Sequence, residues 1–302
     1  MGLAIGSSGK RKERWGLQEE LDCVKDFRID GIPFQLRQET DLSWLRAYGK
    51  VFCVLDQQFS GNLCFGVDGP FGRLFIKYAG ARTVNYRGKP SEAVFMLQKA
   101  MPLYAFQHPA LTRLLGHGQA GDGYAAIFAW RDAMPLRPQP YDSAALDTLR
   151  RLPVTCSLGM LDMVFDLHAH LAVNGLIAVD FHDGNVLLDF SRNEAIVCDI
   201  DLYRQKPVFN DKGRMRGSSR FMAPEEYELN AVLDESTTAY NMGALAFEFF
   251  GSNLDRSKNT WIAPHPLWEV ASKATRESKA DRYPSMRAFL DAWRDAVGRC
   301  RL

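Results

Sequence analysis

The pattern of apolar residues changes once along this chain, from strand-like to helix-like, and that change limits what the chain can fold into. Before about residue 131, short apolar runs such as "KVFCVLD", "NLCFGVD" and "RLFIKYA" alternate with glycine turns, as in β-strands. A single helical pattern interrupts them from Ser91. Later, apolar residues recur at three- and four-residue steps over 158–171, and Asn174-Gly175 is a helix stop signal. This segregation predicts an α+β architecture in two lobes.

The predicted lobes divide the chain near its middle. A β-rich N-lobe with an N-terminal extension is expected over residues 15–131, and a helical C-lobe over residues 132–302. Residues 1–14 are polar, basic and glycine-containing, so they are expected to be disordered. The segment "LQEELDCVKDF" (17–27) is expected to form a helix within the extension.

Composition excludes several classes of partner. The 37 Lys and Arg residues nearly cancel the 36 Asp and Glu residues, so no overall field favours nucleic acid or a membrane surface. The six cysteines form no CxxC pair, which fits a reducing compartment. The N-terminus lacks the order of a secretory signal, and no stretch is expected to span a bilayer. These features predict a cytoplasmic protein with no nucleic-acid or membrane partner.

The fragment "VDFHDGNVLLDF…AIVCDID" carries the strongest chemical signal. Asp180 and Asn185 lie on a polar loop before one short apolar strand, and Asp199 lies at the end of the next strand. If the two strands pair as a hairpin, the three oxygen-bearing side chains converge. Magnesium prefers carboxylate and amide oxygens completed by phosphate oxygens. The competing interpretation is that Asp, Gly and Asn only form a turn.

Three more fragments follow the order of a known family. They are "RLFIKY" with Lys77, "GSSRFMAPEEY" with Glu225, and "ADRYPSM" with Arg282. With the Asp180 fragment they cover roughly residues 50–295, and the chain resembles a bacterial serine/threonine protein kinase-like protein. The resemblance implies the two-lobed protein kinase-like fold, with ATP and Mg²⁺ as cofactors. It also implies that Glu225 is a structural partner of Arg282.

The resemblance assigns a role to each residue of the predicted phosphate site. Lys77 would contact the α- and β-phosphates, and Asp180 would accept or orient the proton of the substrate hydroxyl. Asn185 and Asp199 would be the metal ligands, with Asp199 bridging magnesium to the β- and γ-phosphates. Such an arrangement concentrates positive charge around a transferring phosphoryl group.

The resemblance also implies an adenine site and an ion-pair partner for Lys77. Phe128 in "AIFAWRD" would guard the back of the adenine site, and the backbone of Ala129 and Arg131 would meet the adenine edge. Glu92, in the helix that follows the lysine strand, would pair with Lys77. The alternative for Glu92 is a first-turn glutamate that complements the helix dipole.

Two departures from the family pattern affect phosphate binding and regulation. The glycine-rich loop falls at "LDQQFSGNL", beginning at Leu55, and keeps only Gly61 of the usual three glycines. A plain hairpin turn is the alternative for this loop. Val179 replaces the arginine that receives an activation-loop phosphate. Phosphatase treatment is therefore expected to leave activity unchanged, and a large loss would contradict this.

Three further departures lie around the catalytic loop. His182 replaces the usual lysine, as in aminoglycoside phosphotransferases, and either contacts the γ-phosphate or stabilises the loop. Asp201 replaces the glycine of the DFG motif, which makes a glycine-dependent backbone flip harder. Thr238 replaces an aspartate that supports the catalytic loop, which places the loop's rigidity in question.

These features leave three functions open. The first is a kinase acting on Ser or Thr hydroxyls of a protein substrate, favoured by "GSSRFMAPEEY" and Arg282. The second is a small-molecule phosphotransferase, favoured by His182. The third is a non-catalytic scaffold, suggested by the degenerate glycine-rich loop. Retention of Lys77, Asp180 and both predicted metal ligands argues against the scaffold.

Overall fold

The structure is a computed structural model that describes residues 23–70, 72–138 and 140–300, and it divides into two compact units. Unit 1 comprises residues up to 101 together with 113–130, and unit 2 comprises residues 102–112 and those from 131 onward. The expected boundary at 131 is therefore one residue away from the observed one. The basic tail 1–14 lies outside the described residues.

Residues 102–112 differ from expectation, since they were placed in the first lobe but belong to unit 2. Hydrogen bonds explain the difference. The N–H of Val197 donates to the carbonyl of Ala110 at 2.6 Å, and the N–H of Thr112 donates to the carbonyl of Val197 at 3.0 Å. This segment is thus tied to the helical unit by main-chain bonds.

Unit 1 is built on antiparallel strands and one helix. Its elements are β1 (Lys25–Ile29), β2 (Ile32–Leu36), β3 (Lys50–Leu55), β4 (Asn62–Gly69), β5 (Gly72–Ala79), α1 (Pro90–Ala100), β6 (Leu114–Ala120) and β7 (Gly123–Ala129). Five of the strands form one sheet in the order β3-β4-β5-β7-β6. The strands expected at β3, β4, β5 and β7 and the helix α1 are confirmed.

The expected helix over 17–27 is wrong where the structure describes it. Lys25 to Phe27 belong to β1, which pairs antiparallel with β2. Asp30 and Gly31 connect the two strands with φ of 51° and 89°. An Asp-Gly pair with two positive φ values is a preferred two-residue hairpin turn, and it favours strands on both sides. The first part of the segment lies outside the described residues.

Unit 2 is mostly helical, with small sheets at its loops. Its helices are α2 (Ala144–Arg151), α3 (Val154–Val173), α4 (Glu235–Phe250), α5 (His265–Ala274) and α6 (Met286–Arg299). Its short strands are β8 (Met134–Pro135), β9 (Leu176–Ile177), β10 (Val186–Asp189), β11 (Glu194–Val197), β12 (Arg204–Gln205), β13 (Val208–Phe209) and β14 (Val232–Leu233). The expected α+β class, β-rich first and helical second, is confirmed.

Helix α3 is the apolar centre of unit 2. It ends where the sequence predicted, with Asn174 as C-cap and Gly175 at φ of 81°. Among the described helices it alone is long and apolar enough to cross a membrane by length and composition, which corrects the expectation that no stretch reaches that length. Since 61% of its most apolar window is buried inside the protein, this is weak evidence for a span.

A buried histidine in α3 couples the fold to pH. His168 is 1% exposed. Its Nδ1 donates to the carbonyl of Val164 at 2.7 Å, and its Nε2 accepts from the hydroxyl of Tyr203 at 2.7 Å. Burial lowers the pKa of His168 from 6.5 to about 4. Between these values the unfolded chain binds a proton that the folded chain does not, so stability falls as pH falls.

Replacing this histidine is expected to flatten the acid side of the stability profile. From pH 7 to pH 5, His168 is expected to remove about 2 kcal/mol from the free energy of unfolding. Urea denaturation at both pH values measures this loss in the wild type and in His168→Gln. His265→Gln is the matched control because its side chain is 50% exposed. Equal pH dependence in the wild type and His168→Gln would contradict the prediction.

Candidate active site

The β10–β11 hairpin brings two of the predicted metal ligands to one end of a small sheet. Val186 and Val197 are paired in register. Asn185, just before β10, and Cys198, just after β11, therefore lie at the same end of the hairpin. The N–H of Cys198 donates to the carbonyl of Asn185 at 2.8 Å. Asp199 is the next residue. The hairpin on which the predicted convergence of Asn185 and Asp199 depended is therefore confirmed.

Asp180 and Asp199 share an unusual backbone conformation, and the charge of Asp199 affects the pKa of Asp180. Their φ angles are 65° and 60°, a left-handed region that costs a non-glycine residue on the order of 1 kcal/mol and clusters at functional sites. Burial raises the pKa of Asp180; His182 and Arg216 oppose this rise, and Asp199 adds to it. An ideal Cβ on Gly217 would lie 3.6 Å from Asp180 Oδ1, so this backbone borders the carboxylate.

The loop between Asp180 and β10 is held by its own side chains. The N–H of His182 donates to Asn185 Oδ1 at 2.8 Å, and the N–H of Gly184 donates to His182 Nδ1 at 2.9 Å. Because Nδ1 accepts, a neutral ring carries its proton on Nε2. The 3.7 Å separation between His182 Nδ1 and Asp183 Oδ1 is then a through-space contact and not a hydrogen bond. These bonds give His182 the loop-stabilising role; its contact with the γ-phosphate stays a prediction.

Thr238, at the position where the resembled family has an aspartate, supports the loop that carries Asp180. It is buried in α4, and its Oγ1 accepts from the N–H of Ala178 at 3.2 Å. A hydroxyl oxygen can accept the same backbone proton that a carboxylate would. This contact ties the start of the loop to α4, and the loop's rigidity stays a question for experiment.

A buried ion-pair network joins the loop that carries Asp180 to the segment 217–221. No sequence motif pointed to this network. Asp183 is 1% exposed, and its Oδ2 accepts from Arg220 Nη2 at 2.6 Å. Arg220 Nη1 donates to Glu248 Oε2 in α4 at 2.9 Å. Burial would raise the pKa of Asp183, but the hydrogen bond and positive charge of the Arg220 guanidinium outweigh it and lower that pKa.

Tyr104 fixes the segment that follows β11. Its hydroxyl donates to Asp201 Oδ1 at 2.6 Å and accepts from the N–H of Ile200 at 3.2 Å. Ile200 is fully buried. The first bond holds the Asp201 side chain and the second holds the backbone at Ile200; the expected resistance of this segment to a backbone flip stays a prediction. The sequence analysis did not single out Tyr104.

The expected partnership between Glu225 and Arg282 is confirmed. Arg282 Nη1 and Nη2 donate to the two carboxylate oxygens of Glu225 at 2.7 and 3.0 Å. The Thr237 hydroxyl adds a bond of 2.6 Å to the same carboxylate. Glu225 and Arg282 are 8% and 3% exposed, and a bidentate guanidinium suits such a buried pair. The contact anchors the "MAPEEY" segment to the helical unit.

In unit 1, Lys77 lies in the middle of the sheet. It is 7% exposed on β5, with Cys64 and Ala126 as its neighbours in register. A buried ammonium needs anionic or polar partners. Phe128, on β7, is 2% exposed and faces Phe75 across the strands with ring centroids 6.4 Å apart. Both side chains are buried, and the phosphate and adenine contacts expected of them stay predictions.

The loop that begins after Leu55 is occupied by structural contacts. The N–H of Gln35 donates to Asp56 Oδ2 at 2.6 Å. Gly61 has φ of 83°, and an ideal Cβ there would lie 2.7 Å from the Tyr86 ring. Glycine is therefore required at this position by the neighbouring ring. Leu55, 44% exposed, ends β3. These contacts match the plain-turn alternative, and phosphate binding here stays a prediction.

Glu92 makes the contact expected of a helix-capping residue. The N–H of Lys89 donates to Glu92 Oε2 at 3.2 Å at the start of α1. A glutamate in the first turn also complements the helix dipole. This is the alternative noted from the sequence, and pairing of Glu92 with Lys77 stays a prediction.

The residues expected at the adenine edge fall in different units. The N–H of Ala129, in unit 1, donates to the carbonyl of Arg113 at 3.0 Å. Arg131, in unit 2, pairs with Glu194 at 2.6 Å, and its carbonyl accepts from the N–H of Ala133 at 2.9 Å. The adenine contacts expected of Ala129 and Arg131 stay predictions.

The oxygen donors at this end of the hairpin fit a metal ion whose other ligands come from a phosphate chain and water. In the described ranges, no group of three or more His, Cys, Asp or Glu side chains is placed to hold a metal ion. Asn185 and Asp199 supply one amide and one carboxylate at adjoining positions. Magnesium is commonly held by one or two protein oxygens plus phosphate and water, so these residues fit it only together with a nucleotide.

Comparison with known proteins adds no assignment. No model of a known protein family matches the chain, and no curated protein matches it. The residues and their geometry therefore carry the functional assignment.

Proposed function

We propose that this protein is a cytoplasmic, ATP- and magnesium-dependent phosphotransferase with the protein kinase-like fold. The observation that carries the proposal is the hairpin that brings Asn185 and Asp199 to one end of a small sheet, near the carboxylate of Asp180, whose pKa is raised by burial and further by Asp199. Two oxygen donors for magnesium near a third oxygen-bearing side chain suit phosphoryl transfer to a hydroxyl.

Each residue has a defined task in this proposal. Asp180 accepts the hydroxyl proton as the reacting oxygen attacks. Asn185 and Asp199 hold magnesium, which supplies positive charge to the phosphate oxygens when bound. Lys77 contacts the α- and β-phosphates. Thr238 and the hydrogen bonds of His182 keep the loop that carries Asp180 in place.

A protein substrate with Ser or Thr hydroxyls is the favoured acceptor. The buried Glu225–Arg282 pair anchors the segment that forms the protein-substrate platform in the family that this chain resembles. A small-molecule acceptor is the second candidate. It is supported by His182 at the lysine position, as in aminoglycoside phosphotransferases.

Transfer of radiolabelled γ-phosphate from ATP tests the proposal. Purified protein is incubated with and without Mg²⁺, with a generic protein substrate or with a panel of aminoglycosides and sugars. Magnesium-dependent label on the protein substrate is the expected result. Label on a small molecule would support the second candidate, and absence of transfer to every acceptor would favour a scaffold.

A further inference from the structure

A pocket of about 560 Å³ in unit 2 has a wall of three arginines. Arg150 comes from the end of α2, Arg137 follows β8, and Arg220 belongs to the segment that pairs with the catalytic loop. Residues 250–254, at the end of α4 and beyond it, complete much of the remaining wall.

Two of these arginines keep most of their hydrogen-bonding capacity. Arg150 Nη2 donates to the carbonyl of Gly251 at 2.9 Å. Arg137 lies over the Tyr141 ring at 3.9 Å, and its nearest carboxylate oxygen is Asp183 Oδ2 at 3.9 Å. A guanidinium has five N–H donors in a fork that matches carboxylate or phosphate. The guanidinium groups of both arginines can therefore donate to an anionic ligand without losing an existing short ion pair.

The charge balance of the wall also favours an anion. Three guanidinium groups are matched by two carboxylates, Asp183 and Glu248, and Arg220 already binds both. One positive charge remains, shared between Arg137 and Arg150. A concave wall of one sign raises the local concentration of the opposite charge.

The pocket borders the catalytic loop. An ideal Cβ on Gly184 would lie 3.7 Å from the carbonyl oxygen of Arg137. Asp183, which is bound to Arg220, is three residues from Asp180, a span of at most roughly 11 Å. An extended peptide advances about 3.3 Å per residue. A side chain within about five positions of the reacting hydroxyl is therefore within range of this wall.

We infer that the pocket binds an acidic side chain of the protein substrate, near the hydroxyl that is phosphorylated. The inference rests on the proposed function and adds a substrate class to it. Aspartate, glutamate and phosphoserine share the chemistry that Arg137 and Arg150 recognise, and peptides that differ only in this group distinguish them.

Peptide turnover with Mg²⁺ and ATP tests this inference. Serine peptides carry Asp, phosphoserine or Asn two to five positions from the acceptor, on either side. For the wild type, kcat/KM with the best Asp or phosphoserine peptide is expected to exceed that of its Asn counterpart by about fivefold. Arg137→Gln and Arg150→Gln are each expected to bring this ratio close to one, because kcat/KM falls more for the acidic peptide than for the Asn peptide.

The controls separate charge from structure. Arg150→Lys keeps the charge and is expected to retain most of the preference. Arg151→Gln changes an exposed neighbour outside the pocket and is expected to retain all of it. Equal kcat/KM for acidic and Asn peptides, or a preference that survives both Gln variants, would overturn the inference alone. Absence of turnover for every peptide would overturn the inference together with the protein acceptor on which it rests.

Discussion

Asp180→Asn is expected to lower turnover about a thousandfold while leaving the protein as stable as the wild type. Loss of a general base costs on the order of 10² to 10⁴ in rate. Asparagine has the size of aspartate and tolerates the left-handed conformation at φ of 65°. Burial raises the pKa of Asp180 and Asp199 adds to the rise, so the folded chain disfavours the charged carboxylate that asparagine removes.

Turnover and a thermal melt on the same preparation measure both parts of this prediction. Asp30→Asn is the matched control, because Asp30 also has a positive φ, of 51°, but lies in the β1–β2 turn. It is expected to keep wild-type turnover. Full turnover in Asp180→Asn would remove Asp180 from its role. A large loss of stability would mean that the rate effect reports unfolding.

Arg220→Gln is expected to destabilise the protein by about 3 kcal/mol, because it leaves Asp183 buried without its guanidinium. The loss is expected to be smaller at low pH. Without Arg220 the pKa of Asp183 rises, so acid neutralises the buried carboxylate. Denaturant unfolding at pH 7 and pH 5 measures both effects.

Two further variants identify the source of this loss. Asp183→Asn in the Arg220→Gln background removes the stranded charge and is expected to recover part of the stability. Arg294→Gln is the control, since Arg294 pairs with Asp162 and Asp166 at the surface, and its loss is expected to cost less than about 1 kcal/mol. Equal losses for Arg220→Gln and Arg294→Gln would show that the buried network contributes little.

The same network bears on regulation. Val179 stands where the kinase family that this chain resembles has the arginine that receives a phosphate. Arg220 bridges from its own segment to Asp183 and Glu248. A permanent guanidinium bridge needs no added phosphate to hold the segment 217–221. This supplies a physical reason for the expected insensitivity to phosphatase.

Local patterns predicted the elements that local interactions decide. Short apolar runs between glycine turns predicted β3, β4 and β5, and a three- and four-residue period with Asn174-Gly175 predicted α3 and its end. The Glu225–Arg282 pair, 57 positions apart, was predicted only because ordered motifs carried it. The helix over 17–27 failed in its last residues because the Asp30-Gly31 turn favours a hairpin.

Contacts between distant residues outside any motif could not be predicted. Asp183 and Arg220 are 37 positions apart, and Tyr104 and Asp201 are 97 apart, with no periodicity linking them. The bond between Thr238 and Ala178, 60 positions apart, is of the same kind, because residue type shows that a hydroxyl can accept a proton but not which N–H lies next to it.

In the proposed function, Lys77 and Asp199 bind the same magnesium-nucleotide complex. Thermal melts with and without Mg²⁺ and ATP, on the wild type, Lys77→Ala and Asp199→Ala, test it most directly. At a hundredfold excess over Kd, a ligand stabilises the native state by about 2.7 kcal/mol. The wild type and the exposed-lysine control Lys50→Ala are expected to show this protection, and both site variants to lose it. Undiminished protection in either site variant would contradict the claim.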